Sequence, residues 1–133
     1  MIAIDTNVLL YACDRRSPDK QAQAIELVES VSGGLLLWQV ACEFAAASRK
    51  LGAVGFTLEQ AWDRLAEFAA ILPLVTPTPR VLERARSLTS RGNVQFWDAM
   101  IYAACEDAGV TLLYSEDQPG VTIEGLRIEN PFA

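Results

Sequence analysis

Short apolar runs alternate with longer amphipathic segments along the whole chain. Four runs, at residues 2–4, 35–38, 72–75 and 111–114, have the length of buried strands, and a fifth segment, 121–128, is expected to add an edge strand. The segments between them carry apolar residues at helical spacing. This alternation predicts an α/β sandwich in which a central, mostly parallel sheet of four to five short strands is flanked by helices.

Local signals place the ends of the first predicted helices. Ser17 before Pro18 is typical of a helix start, and the two glycines at 33–34 end that helix. Thr57 and Gln60 form a capping box that opens a later helix. One face of that helix carries Leu58, Trp62, Leu65 and Ala69.

Three further helices are predicted elsewhere in the chain. Residues 40–51 are rich in alanine, and Gly52 ends that helix. A helix from Thr78 reaches nearly to Gly92. Residues 97–108 are apolar on nearly every side, so we expect this helix to be buried.

Length and composition limit the class of protein. The 133 residues fit one domain spanning residues 1–133, and no apolar run approaches the roughly 20 residues that span a bilayer. The start shows no basic segment before an apolar one, so we expect no secretory signal and a cytoplasmic location. The three cysteines lie far apart in sequence, which favours reduced thiols.

The chain contains no histidine, which excludes Ser-His-Asp and Cys-His catalysis and every zinc site that uses histidine. Acid–base or metal chemistry must then use carboxylates, which prefer hard cations such as Mg²⁺ or Mn²⁺. The net charge of −6 argues against a general nucleic-acid coat protein. It is compatible with a nuclease whose metal site concentrates acidic residues.

Four carboxylates stand next to apolar segments or strand ends. Asp5 and Asp117 follow the first and fourth strands, whose carboxyl ends share one edge of a parallel sheet. Asp98 begins an apolar helix, and Glu43 interrupts another apolar stretch. Three of them have a simpler interpretation: Asp5 as a helix cap, Asp98 as a partner of the helix dipole, and Asp117 as a turn residue. Glu43 within an apolar helix is harder to explain in this way. Together they favour a cation bound at that edge.

Several motifs resemble those of one known family. The sequence IDTNVLLY from Ile4 is similar to the opening strand and turn of PIN domains. FWDAMI from Phe96 resembles the start of their central helix, and LYSED from Leu113 resembles the strand that supplies their last acidic residue. Glu43 matches their helical glutamate. Among PIN domains, the sequence most resembles the VapC toxins.

This resemblance implies a PIN-like fold and an endoribonuclease that depends on Mg²⁺ or Mn²⁺ and hydrolyses RNA by metal-activated water. The implied metal-binding and catalytic residues are Asp5, Glu43, Asp98 and Asp117. Asn7 and Ser115 are implied as polar supports, and Glu116 as an extra acid available to a second metal. A VapC-type toxin further implies a cognate antitoxin and a structured RNA substrate, such as tRNA or an rRNA loop.

Two features suggest how RNA and other proteins are bound. Arg80, Arg84 and Arg91 form one stripe of a predicted helix, and Lys50 lies two turns from Glu43 on the same predicted helical face. These residues are candidates for RNA phosphates, with a solvated, ion-paired face as the alternative. The high apolar content, with apolar residues of the first helices expected to remain exposed, predicts a homodimer. The resemblance further implies a hydrophobic groove that accepts an antitoxin segment.

Other functions compatible with the sequence differ in their chemistry. A PIN nuclease outside any toxin–antitoxin pair is the main alternative. A haloacid-dehalogenase-like phosphatase would require a second aspartate where Asn7 stands. A PIN-like fold that acts only by protein contacts is opposed by the presence of all four acidic residues.

Overall fold

The computed structural model describes all residues, 1–133. The strands are β1 (Ile2–Ile4), β2 (Gly34–Leu37), β3 (Leu74–Val75), β4 (Leu112–Tyr114) and β5 (Arg127–Glu129). The helices are α1 (Thr6–Tyr11), α2 (Pro18–Ser30), α3 (Trp38–Ala47), α4 (Leu58–Ile71), α5 (Arg80–Arg91) and α6 (Phe96–Ala108). A 3₁₀ segment, Ser48–Val54, follows α3.

The five strands form one parallel sheet in the order β3-β2-β1-β4-β5. In the centre of the sheet Ala3 pairs with Leu35 on one side and with Leu113 on the other. All strands point the same way, so their carboxyl ends meet at one edge. The predicted α/β class with a mostly parallel sheet is confirmed, and the tail adds the edge strand β5.

A cluster of 29 buried apolar residues fills the space between sheet and helices. Ile4 and Leu113 contribute to it from the central strands, and Val8 contributes from α1. On the other side of α3, Phe44 packs edge-to-face on Phe68 of α4 with ring centroids 5.5 Å apart. This packing holds α1 and α3 firmly over the carboxyl end of β1.

The predicted helix 40–51 was wrong at its end. The α-helix stops at Ala47, and the chain continues as the 3₁₀ segment to Val54 before Gly55 adopts a left-handed conformation at φ 87°. Because the helical turn tightens there, Lys50 does not share an α-helical face with Glu43.

The predicted apolar face of α4 was also wrong in its first two turns. Leu58 and Trp62 are each more than half exposed, whereas Ala61 and Phe68 are buried. The helix packs on α3 and the 3₁₀ segment through the Ala61 side, which turns Trp62 towards solvent. Similarly, α6 buries one face, Ala99, Ile101, Tyr102, Ala103 and Cys105, but exposes its first turn and Glu106.

The large exposed apolar residues lie elsewhere than predicted. None is in α1 or α2, because the apolar side chains of these helices pack into the core. Apart from Met1 at the start of the chain, they lie between α3 and the segment after β4: Trp38, Leu58, Trp62, Ile71, Leu74, Leu82, Phe96, Trp97 and Val121. None of the helices combines the length and hydropathy needed to span a bilayer.

Candidate active site

Asp5 stands at the carboxyl end of the central strand β1 and is held from two sides. Its backbone N–H donates to the carbonyl of Tyr114 at 2.9 Å, which continues the β1–β4 pairing. Its Oδ1 accepts from the backbone N–H of Thr6 at 2.7 Å and so caps α1. Its Oδ2 accepts from the hydroxyl of Ser115 at 2.8 Å. The expected capping role and a place in the acidic site therefore coexist in one side chain.

Glu43 reaches the same edge from the second turn of α3. Its Oε1 accepts from the hydroxyl of Thr6 at 2.8 Å, and its Oε2 accepts from the amide of Gln39 at 3.2 Å. The same Gln39 amide donates to the carbonyl of Trp97 at 3.1 Å. These bonds connect α1, α3 and the start of α6, where Asp98 lies.

The turn after β4 brings Asp117 to this edge. Asn7 donates from its amide to the hydroxyl of Ser115 at 3.2 Å and to Oδ2 of Asp117 at 3.3 Å. The backbone N–H of Asp117 also donates to the Ser115 hydroxyl at 3.1 Å. Thus Asn7 and Ser115, the two predicted supports, connect Asp5 with Asp117.

The four carboxylates influence one another electrostatically. Burial raises the pKa of Asp5, and the charges of Glu43 and Asp117 raise it further, against the lowering effect of its hydrogen bonds. Partial desolvation also raises the pKa of Asp98, with the charges of Asp117 and Glu43 adding to the effect. No ion pair neutralises any of these four groups. A bound cation would compensate them.

The set of oxygen donors fits a hard cation. No three acidic or cysteine side chains close into a complete metal cage. Mg²⁺, however, retains several waters and is bound through one or two protein carboxylates, so an open arrangement suits it. Asp5 and Asp98 are partly desolvated, have raised pKa values and lack a basic partner, which makes them the best-suited ligands.

The other acidic residue of the turn, Glu116, has a different environment. Its Oε2 accepts from Nζ of Lys20 at 2.5 Å and its Oε1 accepts from the hydroxyl of Tyr11 at 2.9 Å. Hydrogen bonding to Lys20 holds the pKa of Glu116 below its usual value. Its charge is thus already compensated, which argues against the predicted role in a second metal site.

The predicted basic residues do not gather around the acidic site. Arg84 pairs with Glu106 at 2.6 Å and lines a cavity whose other walls include residues just before β4 and β5, at the opposite edge of the sheet. Arg91 ends α5 next to the turn that leads to Asp98 and makes no ion pair. Lys50 lines a cavity of about 240 Å³ that also includes Asn7.

Sequence reasoning missed three residues that build the site. Thr6 and Gln39 bind Glu43, and Tyr102 lies beneath the site, where burial and the charge of Asp98 raise its pKa. Spacing offered a signal for two of them: Gln39 precedes Glu43 by four residues, and Tyr102 follows Asp98 by four. Residues four apart share a helix face.

Comparison with known proteins identifies the family. The sequence profile described as the PIN domain matches residues 2–119. The chain belongs to the PIN domain family. PIN domains are nucleases. This membership confirms the resemblance seen in the motifs and sets aside the phosphatase alternative, while no curated protein matches this PIN domain in sequence.

Solved structures share the fold of this PIN domain at low sequence identity. VapBC2 from Rickettsia felis, bound to a DNA fragment from its promoter, matches with TM-score 0.72 and 17% identity over 98% of both chains. FitAcB from Neisseria gonorrhoeae matches with TM-score 0.71 and 15% identity over 99% of both. VapC20 from Mycobacterium tuberculosis, a toxin that cleaves the sarcin–ricin loop, matches with TM-score 0.70 and 18% identity over 88% of this chain and 90% of its own.

Proposed function

We propose that this chain is an endoribonuclease that depends on Mg²⁺ or Mn²⁺ and acts as the toxin of a VapBC-like pair. One observation carries the nuclease part: Asp5, Glu43, Asp98 and Asp117 come from four separate elements and lie at one sheet edge without a basic partner. The structural likeness to VapC toxins supports the toxin part. A toxin of this kind would act in the cytoplasm, where its RNA substrate is.

Each acidic residue has a distinct place in this proposal. Asp5 and Asp98 would hold the cation, and Asp117 would complete the site from the turn after β4. Glu43, which Thr6 and Gln39 orient, would accept hydrogen bonds from water in the site. When bound, a divalent cation lowers the pKa of a coordinated water and neutralises charge on the phosphoryl oxygens. The carboxylates of the site would orient a water molecule for in-line attack on the phosphodiester.

The fold also supports the proposed partners. A cavity of about 240 Å³ begins at Asn7, beside the acidic site, and continues along Leu10, Tyr11 and Leu51. Its half-apolar wall suits a segment of an antitoxin, and the acidic end suits a basic side chain of that segment. The exposed Trp38 and Trp97 flank a second, mostly apolar cavity of about 260 Å³. This surface is the proposed homodimer contact.

The net charge of −6 restricts the substrate. Long-range attraction to RNA is weak for an acidic protein, so binding must come from local contacts and from the cation. A structured RNA with an exposed single-stranded loop, such as tRNA or an rRNA loop, offers unstacked bases for such contacts. A PIN nuclease outside a toxin pair would use the same site on another RNA.

The test uses the purified chain with single-stranded RNA, with DNA of the same sequence, and with total cellular RNA. Each is incubated with Mg²⁺, with Mn²⁺ or with EDTA, and the product ends are analysed. We expect RNA cleavage with either cation, fragments ending in 5′-phosphate and 3′-hydroxyl, and no cleavage in EDTA. Cleavage that persists in EDTA, or cleavage of DNA alone, would contradict the proposal.

A further inference from the structure

A second polar cluster lies on the far side of the turn that carries Asp117. The carboxylate of Glu116 is bound at both oxygens, by Lys20 from α2 and by Tyr11 from the end of α1. Nζ of Lys20 also lies 3.3 Å from the Tyr11 hydroxyl and 4.6 Å from the centre of the Tyr11 ring. We call these three residues the Glu116 clasp.

Aromatic packing supports the clasp from the C-terminal segment. The ring of Phe132 packs edge-to-face on Tyr11 with centroids 5.0 Å apart, and Nζ of Lys20 lies 5.4 Å from the Phe132 ring. An ammonium group over two rings gains cation–π attraction. The clasp therefore fixes Glu116 against two helices and the end of the chain.

The neighbours of Glu116 face the acidic site. Ser115 binds Asp5 at 2.8 Å, whereas Asp117 is exposed and its carboxylate is held only by the Asn7 amide at 3.3 Å. The backbone N–H of Glu116 donates to the same Asn7 side chain at 3.2 Å. Residues 118–120, which follow, form no helix or strand. Asp117 thus has weak support of its own and lies next to a firmly held residue.

We propose that the Glu116 clasp positions the carboxylate of Asp117 in the metal site. The inference rests on the proposed function, since it concerns the same metal site. Lys20 and Tyr11 are positioning residues and touch neither metal nor RNA. They fix the backbone between Ser115 and Asp117, and one backbone rotation there would turn the Asp117 carboxylate away from Asp5.

Energetics separate this role from a merely structural one. The side chains of Lys20 and Glu116 are 38% and 31% exposed, and such partly exposed ion pairs contribute little to folding. Loss of residues that orient a metal ligand, in contrast, weakens metal binding by roughly 10–100-fold. Removal of the clasp should therefore weaken metal binding far more than it weakens the fold.

The experiment measures Mn²⁺ affinity by calorimetry, without RNA, for the wild-type chain, Lys20→Met and Glu116→Gln. Glu129→Gln is the matched control. Glu129 forms a partly exposed ion pair with Arg127, and both residues are on β5, the strand next to β4. We expect both clasp variants to bind Mn²⁺ about tenfold more weakly. The control should bind like the wild type, and Lys20→Arg should recover most of the affinity.

The two clasp variants change the local charge in opposite directions, which separates positioning from simple electrostatics. Lys20→Met makes the site more negative, so charge alone would tighten Mn²⁺ binding, whereas a misplaced Asp117 would weaken it. In an Asp117→Asn background, Lys20→Met should have no further effect, because the ligand that it positions is gone.

The outcomes are distinguishable. Tighter or unchanged Mn²⁺ binding by Lys20→Met, or an equal loss in the Asp117→Asn background, would overturn the clasp while leaving the proposed function intact. Absence of Mn²⁺ binding by the wild-type chain would overturn both. Urea denaturation of each variant checks that the fold is retained.

Discussion

Ser115 donates a hydrogen bond from its hydroxyl to Oδ2 of Asp5 across 2.8 Å, although the two residues are 110 positions apart. The same hydroxyl accepts from the amide of Asn7 and from the backbone N–H of Asp117. One donation and two acceptances use the full capacity of a hydroxyl group. A single buried oxygen thus joins the ends of β1 and β4 and sets the spacing of two acidic residues.

Replacing Ser115 by alanine should therefore damage both the fold and the site. The change leaves the backbone N–H of Asp117 and one oxygen of Asp5 without their partner in a partly buried setting, which costs about 1–3 kcal/mol. Urea denaturation measures this loss. Ser115→Thr keeps the hydroxyl and should recover most of the stability. Equal stability of the alanine and threonine variants would contradict the assigned role.

Asp98→Asn should stabilise the metal-free protein at neutral pH. The pKa of Asp98 is raised above its ordinary 3.8, so the folded state binds more protons than the unfolded state between these two values. Its contribution is favourable below pH 3.8 and is lost as the pH rises through the raised pKa. Asparagine removes this loss. The gain at pH 7 should be below about 1 kcal/mol, because Asp98 is exposed and screened by solvent.

The measurement is urea denaturation of wild type and Asp98→Asn in EDTA at pH 4 and pH 7, repeated at pH 7 with Mn²⁺. The cation binds the folded wild type, so its addition should reverse the order of stability. A wild type that is more stable than the variant at pH 7 in EDTA would show that Asp98 is not an uncompensated charge.

Two arginines of the predicted stripe, Arg91 and Arg84, should differ in their contribution to RNA cleavage. Arg91 lies beside the turn before Asp98 and has no ion pair, whereas Arg84 is bound to Glu106. Arg91→Ala should weaken RNA cleavage and reduce the salt slope by about 1, as expected for one lost phosphate contact. Arg84→Ala should leave the salt slope unchanged. Cleavage rates against salt concentration decide between these residues, and a slope reduced only by Arg84→Ala would contradict this expectation.

One thiol should react in the native protein and three after unfolding. Cys42 is exposed on α3, whereas Cys13 and Cys105 are buried. Burial and the nearby charge of Asp5 raise the pKa of Cys105 to about 12, which keeps it protonated and unreactive. Titration with a thiol reagent, with and without denaturant, counts the groups. Cys42→Ser should abolish the native reaction, and a fast reaction that survives it would show that the core opens easily.

The sequence predicted the sheet well because apolar runs and helix signals are local. The capping box at Thr57 and Gln60 forms as predicted, with both of its hydrogen bonds present. The end of α3 at Ala47 was missed because no glycine or proline interrupts the sequence before Gly52, and the 3₁₀ segment that follows α3 packs against α4. The exposure of Trp62 was missed for a related reason. Periodicity groups the apolar residues on one face of a helix but does not say how that face is oriented relative to the core.

The candidate site followed from the sequence because strand ends in a parallel sheet must meet. The supporting bonds did not follow, since Thr6 meets Glu43 across 37 positions and Lys20 meets Glu116 across 96. Such pairings depend on how helices cross, which no local pattern encodes. For the same reason Glu116 looked like another metal ligand, although Lys20 already compensates its charge.

The most direct test of the central claim compares two substitutions on α6. Asp98→Asn removes a carboxylate of the acidic site, and Glu106→Gln removes one that is bound only to Arg84, two turns further along the same helix. The cleavage rate of single-stranded RNA is measured for both variants at saturating Mg²⁺ or Mn²⁺. Both substitutions remove one negative charge from α6, so the two variants differ only in whether that charge belongs to the acidic site.

We expect Asp98→Asn to lose at least about a hundredfold in rate, equivalent to about 2.7 kcal/mol of transition-state stabilisation, while Glu106→Gln cleaves like the wild type. Wild-type cleavage by Asp98→Asn would contradict the account, because the acidic site would then not be the place where RNA is cut.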